Sequence, residues 1–100
     1  MKLTVQKPLK DNIYSLMRRL GYHFQGKDEE RAEMAFSRPA RGYPRFHIYL
    51  KDESETININ LHLDQKKPIY KGAPAHSADY EGENVKEEME RIKNELDLNK

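Results

Sequence analysis

Residues 44–65 read PRFHIYLKDESETININLHLDQ. Two alternating runs flank a charged turn. Phe46, Ile48 and Leu50 share one side of the first, and Ile57, Ile59, Leu61 and Leu63 share one side of the second. The interleaved positions are Arg45, His47, Tyr49 and Lys51, then Asn58, Asn60, His62 and Asp64. Successive side chains of a strand point to opposite faces, so this alternation predicts an antiparallel hairpin with one buried and one open face. The rest of the chain has to cover the apolar face, and the polar face gathers much of the titratable chemistry.

The flanking segments supply that cover. Leu9, Ile13, Leu16, Met17 and Leu20 form one helical stripe, which predicts a helix over Pro8–Leu20 ended by Gly21. Val85, Met89, Ile92 and Leu96 form a second stripe, with Asn84 as the expected N-cap and Glu87 completing a capping box. The other faces of this last helix are charged and are expected to meet water. Arg31–Arg38 alternates, with Ala32, Met34 and Phe36 on its apolar side, and is expected to form a third strand ended by Pro39. Lys2–Gln6 alternates weakly, as a short edge strand would, and Tyr22–Gly26 is a short bridge or the start of a strand. Asp64–Gly82 contains Pro68, Gly72, Pro74 and Gly82 and has no clear period, so a long loop is expected, pinned by Ile69, Tyr70 and Tyr80. The expected fold class is α+β: a two-layer sandwich in the order helix, three-stranded antiparallel sheet, long loop, helix, with the N-terminal edge strand as an optional addition.

A chain of 100 residues makes one domain, and its core has to be a single cluster. Hydrophobic residues are 36% and charged residues 35%, polar for a globular protein, yet the apolar positions are strongly patterned. The absence of cysteine excludes a disulfide frame and a thiolate metal site. The N-terminal MKLTVQKPLKDN has no apolar run of signal-peptide or membrane-span length, so a cytoplasmic, non-membrane protein is expected. The net charge is +1, but residues 1–51 carry an excess of six positive charges and residues 52–100 an excess of five negative ones. Such asymmetry fits a basic nucleic-acid face or two halves that neutralise each other on packing. The near-neutral total favours the second.

The chemistry concentrates on the polar hairpin face. His62 and Asp64 stand two residues apart on one strand, with Cα atoms roughly 6.5–7 Å apart and side chains on the same side. That spacing lets both reach one metal ion. His76, in the loop that follows, would complete a three-ligand set of His62, Asp64 and His76 with one position left open for water, for which zinc is the expected ion. Arg45 or His47 lies opposite, according to the hairpin register. More broadly, Arg45, His47, Tyr49, Asn60, His62 and Asp64 are the expected ligand-contacting residues. The bland alternative is a polar sheet face held by ordinary cross-strand pairs. No Gly-rich phosphate loop, nucleophile elbow or calcium loop occurs.

Within the order helix, three strands, helix, which is that of double-stranded-RNA-binding domains, LMRRLGYHF followed by RFHIYLKDESETININLH resembles the HicA-type toxin family. The resemblance covers residues 13–62 loosely and implies an RNA-cleaving protein with a histidine as general acid or base. The family's histidine position is occupied here by Phe46, with His47 one residue later. The expected function is thus a small binding domain with a ligand or metal site on the open sheet face. Two alternatives stay open: a HicA-like RNA-binding or RNA-cleaving protein, and a structural or interaction module. The partner would be a small ligand, a protein, RNA, or a second copy joined through the open face or an edge. Whether the protein is an enzyme is left open, and no residue is assigned a catalytic role.

Overall fold

The computed structural model describes residues 1–65 and 78–100. The elements run β1 (Lys2–Gln6), α1 (Ile13–Arg19), β2 (His23–Asp28), β3 (Glu33–Arg38), β4 (Arg45–Asp52), β5 (Thr56–Asp64), β6 (Ala78–Asp79) and α2 (Glu83–Asp97). The sheet is antiparallel in the order β1-β5-β4-β3-β2. β5 has β4 along the whole of one edge. Its other edge is shared end to end by β1, on Thr56–Asn60, and β6, on Leu63 and Asp64.

The class is α+β, as expected, but the sheet is wider than three strands. β3, β4 and β5 are the predicted trio, and β1 is the short edge strand that Lys2–Gln6 suggested. β2 takes up the possible strand start at Tyr22–Gly26 and carries it on through Lys27 and Asp28, where a charged stretch gives no strand signal. It lies at the free edge, is almost wholly exposed and carries a register shift between Phe24 and Gly26, so no alternation survives in its sequence. The chain therefore begins with a strand, and α1 follows it.

Both helices lie on the apolar face. Leu16 and Met17 of α1 and Val85, Ile92 and Leu96 of α2 are sealed from solvent in one cluster with Phe36, Ile48, Leu50, Ile59 and Leu61 of the sheet. Their boundaries differ from the sequence expectation for local reasons. α1 begins at Ile13, not Pro8, because Asn12 caps it by accepting a hydrogen bond from the Ser15 N–H. α2 begins at Glu83 with Gly82 at the N-cap, not Asn84. Asp79 turns the chain into that helix, its Oδ1 accepting from the backbone N–H groups of Glu81 and Gly82 at 3.1 and 2.8 Å. A Cβ on Gly82 would collide with that carboxylate. Ala32 sits in the turn before β3 with φ 52°, outside the strand in which alternation placed it.

α2 also departs from the expected plan of charge facing water. Glu88 falls within its apolar stripe and is buried. It accepts hydrogen bonds from the Tyr22 hydroxyl at 2.6 Å, from Arg38 Nη2 at 3.0 Å and from Arg91 Nη2 at 2.9 Å. Burial alone would raise its carboxyl pKa. The donors from Arg91, Tyr22 and Arg38 outweigh that and hold it below the usual carboxylate range. Burial and the bond to Glu88 push the Tyr22 phenol well above its usual value.

Two substitutions test this packing. Ile59→Asp puts an unpaired charge into the sealed layer and is expected to abolish the cooperative urea transition followed by circular dichroism. A soluble, cooperative Ile59→Asp protein would mean that the sheet faces the other way. Glu88→Ala leaves Tyr22 and two half-hydrated arginines without their acceptor. The expected loss is roughly 2–3 kcal/mol, below the fully buried case because Arg38 and Arg91 can recover water.

Candidate metal centre

The register that buries the apolar face fixes the polar one. Arg45 stands opposite Asp64, His47 opposite His62, Tyr49 opposite Asn60 and Lys51 opposite Asn58. Alternation predicts which residues share the face, but not who faces whom. The structure resolves the open question in favour of His47 as the cross-strand partner of His62.

Asp64 is the hub. Its Oδ1 lies 3.0 Å from His62 Nε2, and its Oδ2 lies 3.4 Å from His47 Nδ1 and 3.9 Å from Arg45 Nε. One donor atom from each of His47, His62 and Asp64 fits within 4.8 Å of the others. The group is well enclosed for an outward sheet face, with side-chain exposures of 14%, 9% and 13%. Aromatic neighbours wall it. The His47 ring lies 4.5 Å from Tyr49 and 5.1 Å from His62, and Tyr80, just past β6, places its ring 5.2 Å from His62. On the β3 side, His47 pairs with Ser37, which is fully buried and accepts a hydrogen bond from Gln25 Nε2 at 2.8 Å.

The chemistry of the set suits a metal of the zinc type. Two imidazoles and a carboxylate are a recurrent donor combination for zinc and non-haem iron, and three protein ligands leave an exchangeable position. Tetrahedral ligands at about 2.0–2.1 Å stand roughly 3.4 Å from one another, close to the separations that His62 and His47 already keep from Asp64. Burial, reinforced by the charge of His62 and by Arg45, lowers the His47 pKa against the opposing pull of Asp64. That favours the neutral form coordination needs. Burial also raises the Tyr49 phenol, helped by the carboxylates of Asp64 and Glu33.

All six expected ligand-contacting residues lie on this face. Arg45, His47, Tyr49, His62 and Asp64 converge. Asn60 sits one row away, where a trough of about 350 Å³ opens between Tyr49, Lys51, Asn58, Lys2, Glu33 and Glu53. His76 lies outside the described residues; among those described, His47 places a third possible donor beside His62 and Asp64. Tyr80, read from the sequence only as a loop anchor, packs against the site. A larger depression of about 530 Å³ lies by Phe46 and Leu63 on the helix side, but its arginines, Arg38 and Arg91, are already committed to Glu88.

No protein-family model, curated protein or solved structure matches this chain. Among the described residues, no helix is long and apolar enough to cross a membrane.

The pH dependence of the metal-free fold has a defined sign. A histidine whose folded pKa lies below 6.5 adds stability above that pH and loses it as pH falls through the folded value. Glu88, depressed below 4.5, acts in a lower window. Urea melts between about pH 7.5 and pH 5 are therefore expected to show a stability loss that His47→Gln reduces. A wild-type stability that stays flat across that window would contradict the placement of His47.

Proposed function

We propose that this protein binds a divalent transition metal, with zinc as the fitting ion, through His47, His62 and Asp64 on the polar face of its sheet. The observation that carries this is the convergence of three donor atoms within 4.8 Å on two neighbouring strands. Supporting it are the enclosure by Tyr49 and Tyr80 and the neutral state favoured at His47. Rigid strands hold such ligands with little reorganisation. The open position makes the site a place where a further ligand exchanges, and Tyr49, which packs against His47, also borders a trough on its other side. An RNA-directed role has weaker support, because Glu33, Glu53 and Asp64 share the face with Lys2, Arg45 and Lys51, and no basic surface results.

Thermal melts with added zinc and with chelator test the proposal. Zinc is expected to raise the melting temperature near neutral pH. The gain should fade as pH drops below about 6.5, where protons compete for the imidazoles. His47→Ala and His62→Ala should each remove the gain, and Asp64→Asn should weaken it. An unchanged melting temperature, or a gain that survives His47→Ala, would overturn the assignment.

A further inference from the structure

Arg45 presents an anomaly next to this site. Its Nε is buried, yet it has no hydrogen-bond partner among the described residues. The nearest carboxylate oxygen, Asp64 Oδ2, lies at 3.9 Å, an ion-pair distance too long for a hydrogen bond. The guanidinium is held in place from another side by the Tyr43 ring, 4.8 Å away. Buried donors in folded proteins are paired almost without exception, and an unpaired one beside a ligand site is a mark of something that binds there.

We propose that Arg45 clamps a phosphate-type oxyanion that occupies the open position of the metal centre; the inference rests on the metal reading above. Asp64 Oδ2 lies between His47 Nδ1 and Arg45 Nε, so an anion bound to an ion held by His47, His62 and Asp64 comes within reach of that unused donor. Charge selects the class. A dication, the Asp64 carboxylate, two neutral imidazoles and the guanidinium leave a local excess of two positive charges. A phosphate monoester, whose second pKa is near 6, is a dianion that matches this at neutral pH, and a monocarboxylate does not. Guanidinium also suits phosphate by shape, since its fork of N–H groups meets two oxygens at once. A trough on the far side of Tyr49, the ring that packs against His47, is the nearest hollow for the organic group of a monoester.

Melting and calorimetry on the full chain decide the matter, with methylphosphonate, phenylphosphonate and acetate as probes. Methylphosphonate is expected to raise the melting temperature of zinc-loaded protein further, to do nothing in the presence of chelator, and to tighten zinc binding roughly tenfold. Acetate should do neither. Arg45→Lys and Arg45→Met should keep the zinc gain and lose most of the phosphonate gain. A larger effect of phenylphosphonate assigns the site to a monoester, and equal effects assign it to phosphate itself. A zinc gain with no phosphonate gain in the wild type overturns this inference and leaves the metal site standing. A phosphonate gain that persists in chelator or in Arg45→Met also overturns it. Absence of any zinc gain overturns both.

Discussion

Everything in this molecule depends on the register of β4 against β5. Ile48 opposite Leu61 and Leu50 opposite Ile59 bring four sealed side chains into one patch beneath the two helices. A slip of β5 by one residue would turn Ile59 and Leu61 to solvent and bring His62 and Asn60 under the helices, a loss on the order of 1.5–3 kcal/mol for each apolar side chain exposed. Because faces alternate, the same constraint leaves no freedom on the other side. Once Ile48 meets Leu61, His47 must meet His62 and Arg45 must meet Asp64. The candidate site is thus positioned by hydrophobic burial on the opposite surface of the sheet, and its ligands need little machinery of their own.

That coupling explains what the sequence discloses and what it withholds. Period-two alternation identifies β3, β4 and β5, and the 3.6-residue stripes identify both helices, because each of these elements has one face in oil and one in water. β2 has no such contrast: His23, Phe24, Gln25, Lys27 and Asp28 are all exposed at the sheet edge, so their order leaves it open whether Tyr22–Gly26 is a bridge or the start of a strand. Helix starts shift for a related reason. Pro8 and Asn84 are both acceptable near a helix N-terminus, but the choice lies with particular hydrogen bonds, Asn12 to Ser15 and Asp79 to Glu81 and Gly82. At the site, HxD on one strand was visible as a metal-ligand pattern. That His47 would stand beside them as a further possible donor was not fixed, because pairing across a hairpin depends on the turn and on packing rather than on the spacing within either strand.

Glu88 shows how a charge can enter an apolar stripe. It stands three residues after Val85 and four before Ile92, at helix-face spacing, and is surrounded by donors from two distant segments, Tyr22 and Arg38, and by Arg91 one turn along the same helix. Arg38 extends from the end of β3 and Tyr22 follows α1, so this one carboxylate ties the sheet, the first helix and the second helix together. A hydrophobic residue would fill the space, but it would leave the Tyr22 hydroxyl buried without an acceptor.

β5, like β3 and β4, has neighbours along both edges, β4 on one side and β1 followed by β6 on the other. Its amides are locked into ladders where those of β2 face water along one edge. Local opening in a sheet begins at frayed edges and reaches interior strands last. In hydrogen-exchange terms, His62 and Asp64 are therefore carried by some of the slowest-opening backbone in the protein. A ligand of the proposed site would leave from an intact sheet, and its residence time would be governed by the bonds at the site rather than by breathing of the fold.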